Sequence, residues 1–164
     1  MSEMPLEIET IVENDAWKAE CDPEALARRC IGAIEASLPD RGQNAEVCVV
    51  FMDDAAIRPL NRQWRQIDKA TNVLSFPSPP APAGVAINVL GDICLAVETV
   101  RREASEQAKT FGDHTSHLVV HGFLHLIGYD HEDAADALAM EREEVRILEL
   151  LGIANPYDDQ TAAR

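Results

Sequence analysis

AEVCVVFM, residues Ala45 to Met52, is short, almost continuous in apolar side chains and rich in valine. That pattern predicts an interior β-strand covered on both faces, because a half-exposed strand alternates instead. Toward the N-terminus, Leu6 to Ile11 does mostly alternate and predicts a half-buried strand. Between them, Asp22-Pro23-Glu24 reads as N-cap, first-turn proline and first-turn acid. The helix they start should present Leu26, Cys30, Ile34 and Leu38 to the core and end near Pro39, with Gly42 in the turn beyond.

On the C-terminal side, Asp53-Asp54 can cap a helix running to about Trp64, and Thr71 to Phe76 predicts a third strand ended by Pro77. Ser78 to Gly84 (SPPAPAG) is proline-rich and predicts an extended loop. Ile87 to Ala96 predicts a fourth strand, with Gly91-Asp92 as a bend or a sheet edge. The rest should be helical over about 97–109, 113–127 and 134–151, with a fraying polar tail after Gly152. Four strands interspersed with about five helices predict one α/β or α+β layered domain.

The chain has 164 residues, 46% hydrophobic and 26% charged, as expected of an ordinary globular domain. Its four cysteines, Cys21, Cys30, Cys48 and Cys94, lack CxxC spacing and read as reduced structural residues. No apolar run reaches the roughly 20 residues that span a bilayer. The acidic start, MSEMPLEIETIVEND, lacks the basic-then-apolar order of a secretory signal, so the expected compartment is the cytoplasm. Net charge is −15, from 29 acidic and 14 basic residues, so a nucleic-acid partner needs a local basic surface.

All five histidines fall within HTSHLVVHGFLHLIGYDH, His114 to His131. His121 and His125 are one helical turn apart on one face, where two imidazoles can reach a single cation. Gly128 can end the helix in a left-handed conformation and return His131 to the same ion. Three imidazoles leave one tetrahedral position for water or substrate, the arrangement of a catalytic zinc. Ligand type alone leaves nickel, copper and iron open. His114 and His117 share the helix face, and His117 is an alternative second ligand. His121 is preferred because only it and His125 lie close to the Gly128 turn. The spacing H-x3-H-x2-G-x2-H is also that of a large zinc-protease class, which needs a glutamate directly after the first histidine as general base. Here that residue is Gly122, which cannot take a proton, and this argues against peptide hydrolysis by that route.

Arg58, Arg62, Arg65 and Lys69 are spaced four, three and four apart. If the helix from Asp54 runs that far, they form one basic stripe, able to supply the positive surface that the overall charge denies.

Three blocks, WRQIDKATNVLSF (Trp64 to Phe76), LGDI (Leu90 to Ile93) and HGFLHLIGYDH (His121 to His131), closely resemble the YbeY family of bacterial endoribonucleases and rRNA maturation factors. They occur in the family's order, and the resemblance runs from about Glu46 to Tyr157. Ala70 departs from the proline usual before the threonine. The resemblance implies an α+β single domain, residues 1–157, in which a mixed sheet of about four strands is surrounded by helices. The metal site then lies at the end of a central helix, and 158–164 form a flexible tail. It implies a single-strand endoribonuclease acting in 16S rRNA 3′-end maturation and ribosome quality control, with small-subunit components as partners. The ligands carry over onto His121, His125 and His131, holding one Zn²⁺ with a water. The functional arginine carries over onto Arg65, with His121 the second catalytic residue.

Zinc is then expected to acidify water and polarise the phosphate, and Arg65 to hold a non-bridging oxygen. Arg62, Lys69 and His117 are expected to bind substrate, the two basic residues on neighbouring phosphates, and His117 or His114 to line the pocket or assist proton transfer. Asp130 is expected to orient a ligand imidazole, Asp92 to be structural, and Thr71 and Asn72 to lie in the cleft floor. The competing reading is a non-catalytic, zinc-stabilised assembly factor.

Overall fold

The strand predicted at 45–52 forms over those residues and occupies the interior of a four-stranded sheet. The computed structural model describes residues 6–39, 45–79, 88–130 and 133–157. In chain order its elements are β1 (Glu7–Val12), α1 (Ala16–Glu20), α2 (Pro23–Ser37), β2 (Ala45–Met52), α3 (Asp54–Arg65), β3 (Val73–Pro77), β4 (Asn88–Ala96), α4 (Val97–Glu106), α5 (Phe111–Leu126) and α6 (Ala134–Leu150). The sheet order is β1-β2-β4-β3. β1, β2 and β4 run parallel and β3 is antiparallel to β4, so the sheet is mixed and the domain is α+β. The expectations for Gly42, for most of the 78–84 loop, for His131 and for the 158–164 tail fall outside the described residues.

Capping side chains set the helix starts as their chemistry predicts. Asp22 accepts from the Ala25 N–H, Asp53 from Ala56, Thr110 from Asp113 and Asp133 from Asp136. The five-residue α1 is the helix that sequence periodicity misses, being too short to show a period. It seats Trp17, which is fully buried, donates its indole N–H to the Met52 carbonyl at 2.8 Å and packs edge-on against Phe51 and Phe111.

α5 is buried along most of its surface apart from an edge of half-buried histidines, and it lies in the centre, against β3 and β4 on one side and α2, α4 and α6 on the others. One face of β2, with Val47, Val49 and Phe51, joins this main core. Among the described residues the other face is only partly covered, with Cys48 and Val50 half-buried and Val50 and Met52 packed in the cluster that includes Ile57 of α3. Full coverage of both faces is therefore not what forms.

α3 ends at Arg65, because Gln66 takes a left-handed conformation (φ 61°) and returns its N–H to Arg62 and Asn61. Lys69 is consequently off the helix, its carbonyl held by the buried Asn61 amide at 2.9 Å. Arg58 pairs with Asp68 at 2.9 Å. The four-residue basic stripe does not form. Arg62 and Arg65 alone remain in the last turn, where cations complement the helix dipole.

β4 is an interior strand, not an edge. Its pairing with β2 skips one residue, so that Glu46 faces Val89 and Val47 faces Gly91. Gly91 has φ 141°, and a Cβ there would stand 2.2 Å from the Phe76 carbonyl oxygen. Gly91→Ala therefore meets both backbone strain and a clash with main chain that cannot rotate away. It is expected to cost about 3 kcal/mol or more, read as a lowered midpoint in urea with an unchanged slope. A midpoint within experimental error of the parent's would refute this account of the bulge.

Candidate metal centre

Four histidines descend one face of α5, His114, His117, His121 and His125, with successive ring centroids 6.4, 6.3 and 4.6 Å apart. The last two converge, their Nε2 atoms 3.1 Å from each other. Their other nitrogens fix what those atoms are. His125 Nδ1 lies 3.0 Å from the Tyr129 carbonyl oxygen, which can only accept, so the proton sits on Nδ1. His121 Nδ1 lies 2.6 Å from Glu144 Oε1 and donates to that carboxylate. With both rings neutral, the two Nε2 atoms present lone pairs to each other, an arrangement that a shared cation, a metal ion or a proton, satisfies. Two nitrogens on one tetrahedral zinc stand about 3.3 Å apart, close to the spacing found. This donor set fits a divalent metal.

Glu144 is the residue that sequence reasoning missed. It is 1% exposed, on α6, and receives hydrogen bonds from His117 Nε2 at 2.9 Å, His121 Nδ1 at 2.6 Å and the Tyr157 hydroxyl. Burial opposes its charge, but the bonds from His117 and His121, the His117 charge and the Tyr157 bond outweigh it and hold the carboxyl down to about 2. Burial, together with the same carboxylate, drives the Tyr157 hydroxyl upward. A signal did exist: Met140, Glu144, Ile147 and Leu148 share one buried face, so an acid occupies a core position of an otherwise apolar stripe. The orienting role expected of Asp130 falls, for His121 and His125, to Glu144 and the Tyr129 carbonyl.

His117, His121 and Glu144 also form a group whose potential ligand atoms lie within 4.8 Å of one another, a possible metal site in its own right. Its shortest separations are the hydrogen bonds just described. The Nε2 atoms of His121 and His125 form a second candidate pair of donors, with Glu144 behind His121 as the carboxylate that orients its ring.

The pair opens onto a cavity of about 530 Å³, walled by Trp64 and Arg65 from the end of α3 and by Asn72 with β3. Arg65 thus lines the same cavity as His121, from 56 residues away in the chain. Arg62 and Lys69 are exposed but do not line this cavity. His117 and His114 line an adjoining cavity of about 250 Å³, shared with His121, Asn72 and Tyr157. Each bonds a carboxylate through Nε2, His117 to Glu144 and His114 to Glu103, while its buried Nδ1 makes no hydrogen bond. Asn72 borders both cavities, as expected of the cleft floor, but is spoken for by Glu103 and the Val73 N–H. Thr71 lines neither, and Asp92 is exposed on β4.

Gly122, where a protease would carry its general base, faces the sheet. A Cβ there would stand 2.8 Å from Ile93 Cγ2 and 3.0 Å from Ser75 Oγ, and that hydroxyl donates to the Gly122 carbonyl. A larger side chain at 122 would have to displace Ile93 and Ser75 of the sheet.

Comparison with known proteins points to one family. The family described as endoribonuclease YbeY matches residues 11–152. A protein named endoribonuclease YbeY from Rhodopseudomonas palustris is 48% identical over 99% of this chain and 96% of its own length. Another so named, from Methylocella silvestris, is 52% identical over 95% of this chain and 88% of its own. The solution structure of a Thermotoga maritima protein superposes with a TM-score of 0.59 at 25% identity, covering 95% of this chain and 93% of that one.

Proposed function

This chain belongs to the endoribonuclease YbeY family, a family of metal-dependent RNA-cleaving hydrolases, and from that premise we propose that it is a zinc-dependent single-strand endoribonuclease of 16S rRNA 3′-end maturation and ribosome quality control. The observation that carries the chemical part is the convergence of the His121 and His125 Nε2 atoms, 3.1 Å apart, beside the cavity that holds Arg65. Metal would be held by His121, His125 and, by the family resemblance, His131. When bound, zinc supplies a Lewis acid beside the phosphate and a water acidic enough to act near neutral pH.

The chain's own residues do the rest. Glu144 and the Tyr129 carbonyl keep the two imidazoles in the Nδ1–H tautomer, so that Nε2 stays available as a donor to metal. Arg65 holds a non-bridging phosphate oxygen with its planar fork and offsets charge that grows in the transition state. Arg62 and Lys69, outside the cavity, attract neighbouring phosphates, and His117 with His114 borders the path beyond His121. The catalytic domain spans 1–157, the substrate is a 16S rRNA precursor, and small-subunit components are its partners in the cytoplasm. No helix among the described residues is long and apolar enough to cross a membrane.

The test is cleavage of single-stranded rRNA by zinc-loaded protein beside Arg65→Ala, with bound zinc measured in each. Arg65→Ala is expected to keep its zinc and lose about 10²–10³-fold in cleavage rate. Equal rates, or no cleavage by the zinc-loaded parent, would sink the nuclease mechanism at this site.

A further inference from the structure

Trp64 is 63% exposed, the most open large apolar side chain among the described residues. An indole left in water beside a catalytic cleft calls for an occupant. It stands next to Arg65 in the last turn of α3, and both line the cavity that His121 and His125 border. One side of the ring is braced: Phe76 of β3 lies 5.5 Å away, centroid to centroid, at 58°. Phe76 is itself half-buried against the smaller core of Met52, Ile57 and Leu74, so the brace is anchored.

The cavity's second wall is a strand edge. Among the described residues β3 pairs only with β4. The bonds Ala96 N–H to Asn72 O and Ser78 N–H to Leu90 O set the phase of that ladder. Hydrogen-bonded pairs recur every second residue, so Leu74 and Phe76 turn their main-chain groups to β4 and Ser75 turns its N–H and C=O to the open edge. An exposed indole and a main-chain donor and acceptor therefore line one cavity, with a guanidinium one residue along the chain from the indole. Those features match an unpaired nucleobase attached to a phosphate: the ring stacks, the edge pairs, and the phosphate meets Arg65.

We propose that Trp64, braced by Phe76, is the stacking platform for an unpaired nucleobase of the RNA strand next to the scissile phosphate. The proposal rests on the nuclease reading and adds a reason for single-strand selectivity. A base inside a duplex already has both faces stacked and cannot be taken up without being pulled out. It also suits a chain of net charge −15, because stacking adds affinity that does not depend on phosphate attraction.

Intrinsic fluorescence tests this directly, since the chain has two tryptophans and Trp17 is fully buried. Zinc-loaded protein is titrated with single-stranded oligo(dU), with a duplex of equal length and with an extended apolar peptide. The expected result is saturable quenching by oligo(dU) and little by duplex or peptide. In parallel, Trp64→Ala is expected to raise KM for single-stranded RNA roughly 5- to 150-fold with kcat changed little, and Trp64→Phe to restore most of the loss. The Trp64→Ala deficit should persist at high salt, whereas that of Arg65→Ala should shrink. A KM within twofold of the parent, or binding seen by polarisation without quenching, overturns the platform while leaving the nuclease reading intact. Quenching by the peptide but not by oligo(dU) overturns it in favour of strand addition at β3. Quenching without cleavage by the parent keeps the platform and removes the nuclease reading, and absence of both removes both.

Discussion

His125→Ala is expected to abolish both zinc binding and RNA cleavage while the fold persists. His125 is half-buried at the end of α5, and its ring bonds the Tyr129 carbonyl and His121. Truncation leaves the apolar positions of α5 untouched, so helical content and the cooperative unfolding transition should survive. The metal, however, loses one of two donors that the fold aims at a single point. Removing a group that merely orients a ligand already costs roughly 10–100-fold in affinity, so loss of a donor should exceed that. Cleavage should fall by more than the roughly 10²–10³-fold expected for one transition-state donor. The measurement is zinc content after gel filtration against a mild chelator, beside circular dichroism and cleavage of single-stranded rRNA. His117→Ala is the control. If His117→Ala loses zinc and His125→Ala keeps it, the metal sits instead among His117, His121 and Glu144.

The second large effect belongs to Glu144→Gln. Three donors, His117 Nε2, His121 Nδ1 and the Tyr157 hydroxyl, meet two carboxylate oxygens in a site 1% exposed. An amide of nearly the same shape offers one oxygen, and its NH₂ faces a donor where an acceptor stood. Hydrogen bonds to a charged group are worth about 1.5–3 kcal/mol each, so metal-free Glu144→Gln is expected to lose about 3 kcal/mol of stability. Released from its partner, His121 can place its proton on Nε2 and withdraw it as a donor. Zinc affinity should then fall roughly 10–100-fold. Urea unfolding of the metal-free protein reads the first effect and chelator competition the second. Unchanged zinc affinity with lowered stability would make Glu144 a structural residue only.

These two residues mark where sequence reading succeeds and where it stops. The His121 and His125 pair is visible because one helical turn separates them, and α5 is recognisable from its own residues. Glu144 lies 23 residues beyond His121, and nothing local links them; its only trace is an acid on the buried stripe of α6. The basic stripe fails for the opposite reason. Its spacing is right for a helix, but Gln66 turns left-handed and Arg58 is taken up by Asp68. Gly122 was legible as a missing base; that the sheet fills its space was not.

By itself, the sequence determined the four strands, the five longer helices and their local chemistry. Capping aspartates, a valine-rich strand and i, i+4 histidines act over a few residues, where backbone geometry is nearly the same in any fold. Only the tertiary structure decided which nitrogens of those histidines face outward, that Arg65 and Trp64 reach them across β3, and that a buried carboxylate stands behind. Those outcomes depend on the sheet order and on the approach of α6 to α5, contacts between distant segments whose energies are set by packing and burial rather than by any local period.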